Sequence, residues 1–325
     1  MNGEPEDSVS KTETFQIVIP VYNEVECIDE LLSRLLSFRE SFREVDISIL
    51  FVDDGSTDGG LDKLLAATKK YPFVALIELS RNFGHQIALS AGLDHADADY
   101  IGMIDADLQD PPELFRDMVE LCRQGFDTIY AKRKFRAGES RFKIITARIF
   151  YNLIGRICKI YIPENTGDYR VITRRVNKEF VKMRELHRFV RGMIPWIGFK
   201  STFIEYDRKA RHAGQTKYSL RKMVQFAIDA ILSFSMAPLR MATLLGFGLI
   251  GISSLVGLII LFLWLFTSYH APGIMAVILM ISMMGGLQIV IMGIMAEYIG
   301  RLFEQSKDRP LYVVKERVNL PQGTP

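Results

Sequence analysis

No Lys, Arg, Asp or Glu occurs between Met241 and Ala296 of this 325-residue chain. A soluble helix rarely runs ~18 residues without a charge, so that gap excludes a wholly water-soluble surface for the C-terminal third. Cysteine is scarce and scattered: Cys27, Cys122 and Cys158 follow neither zinc-ligand nor disulfide spacing, which fits a reducing compartment. His85, His95, His187, His212 and His270 show no ligand spacing either, which speaks against a zinc site. The start, MNGEPEDSVSKTE, lacks the basic and then apolar pattern of a secretory signal and reads as a flexible tail over 1–13. With 40 basic against 38 acidic residues, no charge surplus points to nucleic acid as a partner.

What fills the uncharged gap is two apolar segments, Met241 to Phe266 and Ala271 to Ala296. At about 1.5 Å per residue each exceeds the roughly 30 Å hydrocarbon core of a bilayer, so both read as transmembrane helices. Only TSYH separates them, whereas Arg221, Lys222 and Arg240 precede the first and Arg301, Lys307 and Arg309 follow the second. The positive-inside rule then places both termini, and everything up to the first span, in the cytoplasm. Two spans are too few to enclose a transport pathway.

The region before the spans alternates between strand and helix patterns. Phe15 to Pro20, Ile47 to Asp54, Phe73 to Leu79, Tyr100 to Asp107 and Asp127 to Arg133 are short β-rich runs. Helical patterns lie between them, over Glu24 to Phe42, Gly59 to Lys70, Gly84 to His95 and Pro112 to Gln124. Near-continuous apolar strands separated by helices imply an α/β fold with a mostly parallel sheet flanked by helices. Such sheets bind ligands at the carboxyl ends of their strands, where PVYNE, DDGSTD, SRNFGHQ and DADLQD fall. DDGSTD alone reads as a helix cap. Four polar strand ends along one edge of a sheet read as a site.

Asp105 and Asp107 form a D-x-D pair at the end of the fourth strand pattern, and alternation along an extended strand puts both side chains on one side. That arrangement suits a hard cation, Mg2+ or Mn2+, which would neutralise a departing diphosphate. The leaving group in turn suggests a nucleotide sugar, with VYNE and VDDGSTD, including Asp53 and Asp54, forming the nucleotide pocket.

IVIPVYNE, VDDGSTD, SRNFGHQ, DADLQDPPE and TGDYRVITR together resemble family 2 glycosyltransferases of the GT-A fold, specifically the polyprenyl-phosphate glycosyltransferases. The resemblance runs from about Phe15 to about Tyr312. It implies that Pro20, Tyr22, Glu24 and Asp53 bind the nucleotide, that Asp105, Asp107 and Gln109 surround the metal, and that Arg133 lies beside the phosphates. The implied domains are a catalytic GT-A domain over 14–220, a juxtamembrane helix over 221–240, spans over 241–266 and 271–296, and a cytoplasmic tail over 297–325. The implied setting is the bacterial inner membrane. A hexose would pass from a nucleotide diphosphate sugar, UDP-glucose favoured, to a membrane polyprenyl phosphate with inversion, and a separate flippase and a downstream glycosyltransferase would handle the product. Homo-oligomerisation is left open.

Two basic, apolar segments, Arg141 to Ile160 and Arg221 to Arg240, have the pattern of helices lying in a membrane interface. Between them, Asp207 to Leu220 resembles the R-x-x-G-x-[ST]-K loop of the same subgroup, with Arg211, Gly214, Thr216 and Lys217 at the matching positions. Arg133, Arg141, Arg211 and Lys217 are the candidate ligands of an acceptor phosphate. A phosphate monoester is largely ionised at neutral pH and needs positioning more than deprotonation. Asp168, in TGDYR, joins Asp105, Asp107 and Arg133 in the candidate catalytic set, as a residue that shapes the site. The alternatives are a membrane-tethered family 2 enzyme with a hydroxyl acceptor, or an inactive nucleotide-sugar-binding scaffold; an intact D-x-D pair weighs against the second.

Overall fold

A computed structural model describes residues 12–134, 166–186, 188–207, 237–266 and 273–320. The chain divides into two compact units, one comprising 1–155, 160–217 and 310–325, the other 156–159 and 218–309.

The first unit is an α/β layer structure on an eight-stranded sheet of order β7-β5-β6-β4-β1-β2-β3-β8. Strands β1 (Thr14–Val21), β2 (Asp46–Asp53), β3 (Val74–Leu79) and β4 (Tyr100–Met103) are parallel and alternate with helices α1 (Val25–Ser41), α2 (Gly60–Lys70) and α3 (His85–His95). Their near-continuous burial explains the unbroken apolar runs, because helices cover both faces. After a short 3-10 turn, α4 (Phe115–Arg123) leads to β5 (Thr128–Arg133). β6 (Thr166–Thr173) then runs antiparallel between β4 and β5, followed by α5 (Arg174–Lys182), α6 (Val190–Ile197) and β7 (Ser201–Tyr206), which pairs parallel to β5.

Two contacts set the layers. Phe15 of β1 meets Phe115 of α4 edge-on, ring centroids 5.2 Å apart, at the centre of the core. On the other face α3 lies so close to the sheet that a Cβ on Gly92 would fall 2.3 Å from Cγ1 of Val18. A larger residue there would push α3 off the sheet.

The second unit holds α7 (Ala237–Phe266) and α8 (Gly273–Ser306). Pro238–Leu263 and Met283–Ser306 are long and apolar enough to cross a membrane, and neither window is buried within the protein. Side chains such as Phe247 and Ile274 stand exposed. Both helices overrun the apolar segments that mark them, α8 by ten residues beyond Ala296.

Two further features differ from the sequence reading. The fourth strand stops at Met103, four residues short of Asp107, and the chain then turns, with Leu108 at a φ of 60°. The segment after α8, expected as a tail, returns to the sheet as β8 (Val314–Val318) and pairs antiparallel with β3. Arg141, Arg211, Lys217 and the segment 141–160 lie outside the described residues, as does most of 221–240.

Candidate active site

The carboxyl ends of β1, β2, β3 and β4 share one edge of the sheet, as parallel pairing requires. Two antiparallel steps make β5 parallel to β4, so Arg133 also ends at that edge, and Asp168 begins β6 there. Pro20, Tyr22, Glu24, Asp53, Asp54, Asp105, Asp107, Gln109, Arg133 and Asp168 are therefore brought to one side of the molecule.

The first two loops are stitched together by their own side chains. Asn23, at a φ of 54°, donates its N–H to Ser56 Oγ at 3.1 Å and accepts from the N–H of Thr57 at 2.8 Å. Asp58 accepts from Val25 N at 2.8 Å and Gly60 N at 2.9 Å, joining the starts of α1 and α2. Gly55, at φ 72°, packs its α-carbon against the backbone of Arg81 and Asn82; an added Cβ would sit 2.8 Å from both. Only glycine satisfies both the dihedral and the close approach.

The adjacent aspartates of DDGSTD face different surroundings. Asp54 turns inward and accepts from Phe83 N at 2.7 Å and Gly84 N at 2.9 Å, which ties down the loop entering α3. Asp53 is fully buried; its Oδ2 accepts from Ser56 N at 3.1 Å, while Oδ1 has no hydrogen-bond partner among the described residues. Burial raises its pKa, against the hydrogen bonds from Ser56 and Gly55. Asp53 stands in register with Val21, next to half-exposed Tyr22, and its unfilled oxygen is a buried acceptor that a hydrogen-bond donor would satisfy.

Beyond β4 the carboxylates crowd. Asp107 Oδ1 accepts from Gln109 N at 3.2 Å within the turn. Strand alternation therefore does not orient this pair; the turn does. Asp110 accepts from the Tyr206 hydroxyl, and Arg133 Nε donates to the same hydroxyl at 3.3 Å. Burial raises the Asp105 carboxyl pKa; His85 draws it back, and Asp168, Asp110 and Asp107 push it further up.

His85 joins the two carboxylate groups. Its Nε2 lies 3.2 Å from Asp168 and 3.4 Å from Asp105, and candidate ligand atoms of all three residues fall within 4.8 Å of one another. Burial lowers the His85 pKa, but Asp168 and Asp105 outweigh it and lift it to about 9. Asp168 is already clamped, however. Arg191 of α6 donates Nε and Nη2 to its two oxygens at 3.0 Å each, and Gln86 Nε2 donates to Oδ2 at 3.1 Å. Gln86 also accepts from Val190 N at 2.9 Å, locking α3 to α6. Burial opposes the Asp168 charge, yet Arg191 and His85 hold its carboxyl well below the ordinary range. Among the described residues His85, Asp105 and Asp168 offer clustered candidate ligand atoms for a metal ion, with Asp168 already engaged by Arg191 and Gln86.

His85 and Gln86 stood within SRNFGHQ, but linear spacing could not show that they meet Asp105 and Asp168 from another strand end. Arg191 and Tyr206 carried no sequence signal, because β6, α6 and β7 bring them in from distant positions.

Comparison with known proteins follows the same lines. The family model described as glycosyl transferase family 2 matches residues 16–181. An uncharacterized glycosyltransferase, YkcC, of Bacillus subtilis is 42% identical over 94% of this chain and 94% of its own. A prophage bactoprenol glucosyl transferase homolog of Escherichia coli is 36% identical over 92% of this chain and 97% of its own. Among solved structures, glucosyl-3-phosphoglycerate synthase from Mycobacterium tuberculosis, in complex with Mn2+, uridine-diphosphate-glucose and phosphoglyceric acid, is 18% identical. It has a TM-score of 0.46 and covers 68% of this chain and 78% of that one.

Proposed function

The chain belongs to glycosyl transferase family 2, and from that premise we propose that it moves a hexose, from UDP-glucose by preference, to a membrane polyprenyl phosphate with inversion at the anomeric carbon. The relatives named for bactoprenol support the acceptor, and two helices long and apolar enough for a bilayer support its setting.

The observation that carries the reading is the state of Asp168. In a transfer to a hydroxyl group, a carboxylate here would have to take up the proton. Its two oxygens instead receive Arg191, Gln86 and His85, and its affinity for a proton is depressed. A phosphate acceptor needs no such base.

In this reading Asp53 accepts a hydrogen bond from the base or ribose, Tyr22 and Glu24 border the nucleotide, and Pro20 lies one residue before β1 ends at Val21. Asp54 holds the loop that presents His85. Asp105 and Asp107, with Gln109, would hold Mg2+ or Mn2+, which when bound neutralises the diphosphate leaving group. Arg133 is the described cation for the phosphates; Arg141, Arg211 and Lys217 are assigned to the acceptor phosphate on their sequence pattern. Direct displacement inverts, so an α-linked donor yields a β-linked lipid phosphate sugar. The catalytic unit faces the cytoplasm of a bacterial inner membrane, where nucleotide sugars are made, and a flippase and a second transferase would take the product onward.

A screen of radiolabelled nucleotide sugars against polyprenyl phosphate in detergent tests the assignment. The expected result is lipid-linked label from UDP-glucose, abolished by excess chelator and reduced at least a hundredfold in Asp107→Ala. Full activity in chelator would remove the metal role, and label from a guanosine donor alone would replace UDP.

A further inference from the structure

Strand β8 closes the edge of the sheet next to the strand ends that form the site. It is anchored along its length: Val313 O accepts from Ser80 N at 2.9 Å, and the Tyr312 hydroxyl donates to Asp94 at 2.9 Å. At its far end Asn319 Nδ2 donates to Thr68 O at 2.8 Å and Val74 O at 2.9 Å. Ser80 opens the loop whose amides Asp54 holds, so the segment braces the donor side of the site from outside.

The register brings three carboxylates abreast. Asp53 of β2 pairs with Glu78 of β3, and Glu78 pairs with Glu316 of β8. Residues directly opposite share a face, and like charges so placed repel. Asp53 and Glu78 are both buried. Beside them β8 supplies a compensating charge, for Lys315 Nζ lies 2.5 Å from Glu78 Oε1.

We propose that β8 is a working part of the nucleotide pocket, in which Lys315 is a positioning residue that neutralises Glu78 and so keeps its neighbour Asp53 ionised as an acceptor. The proposal rests on the reading of Asp53 as a nucleotide contact. Without Lys315, a bare carboxylate beside buried Asp53 favours the protonated acid, and a protonated oxygen donates where the nucleotide also donates. Arg can replace Lys315 in this role. So can removal of the charge it neutralises.

Titration calorimetry of the full chain in detergent with UDP tests this without turnover. Lys315→Met should weaken UDP about five- to tenfold, the scale of a coupled charged pair. Lys315→Arg should bind within about twofold of wild type, and adding Glu78→Gln to Lys315→Met should recover most of the loss. A purely structural role for Lys315 would not be rescued by Glu78→Gln, and that outcome overturns the proposal. So does unchanged affinity in Lys315→Met when Asp53→Asn weakens UDP. If Asp53→Asn itself leaves UDP binding unchanged, the nucleotide reading of Asp53 falls and takes this proposal with it.

Discussion

At the level of single residues, the pair Arg191 and Asp168 combines a structural load with a chemical consequence. Removing Arg191 leaves buried Asp168 with His85 at 3.2 Å and Arg170 at 3.7 Å as its remaining cations among the described residues, which weakens but does not abolish its compensation. Arg191→Met should therefore lower the melting temperature of the purified protein at pH 7. The pH dependence has a definite sign. Asp168 has a folded pKa below its unfolded value, so its contribution is present above about pH 4 and is lost as pH falls through the folded value. In Arg191→Met burial dominates and the carboxyl protonates more readily, so the gap to wild type should narrow as pH falls from 7 toward 5. A gap that stays constant or widens would mean that Arg191 acts through packing alone. Single residues were also where sequence was least explicit. Asp105, Asp107 and Asp168 stood out because carboxylates at strand ends are conspicuous, whereas Arg191 and Tyr206 acquire meaning only from antiparallel β6 and from β7.

Among the elements, the parallel half of the sheet was legible because burial on both faces forces long apolar runs bounded by polar loops. The antiparallel additions were not. β6 carries Asp168 and Arg170 inside a buried strand, with the Arg170 guanidinium 5.2 Å from the Tyr130 ring and donating to Gly167 O at 2.8 Å. Charges in a strand erase the pattern by which buried strands are read. β8, KERV-rich and largely exposed, looks like a tail for a related reason: it covers an edge and buries little of itself. α3 shows how an element serves the site, since its seat on Val18 sets where His85 and Gln86 arrive. Gly92→Val should clash with that seat and lower the melting temperature by roughly 3–10 °C, the effect of overpacking in a unit of this size. Activity should fall by more than the lost folded fraction, because the displaced helix carries two site residues. An unchanged melting temperature would show that α3 can move without cost.

For the whole molecule, the chain leaves the catalytic sheet, passes through two apolar helices and returns to the same sheet as β8. If both helices cross a bilayer, as the distribution of Lys and Arg around them implies, their two flanks share the cytoplasmic side. A cysteine placed by Ser268→Cys should be labelled by an impermeant reagent added outside intact cells, and one placed by Ser8→Cys should not. The opposite pattern would put the site away from cytoplasmic nucleotide sugars.

The central claim is that the acceptor is a phosphate: relatives named for bactoprenol support it, and Asp168, held by Arg191 and His85, is not disposed to take a proton from a hydroxyl. It is tested most directly by offering the detergent-solubilised protein labelled UDP-glucose with either a polyprenyl phosphate or the polyprenol of the same chain length. The account predicts a β-linked, phosphate-bridged product with the phosphate and no transfer to the alcohol. Transfer to the alcohol at a comparable rate would contradict it.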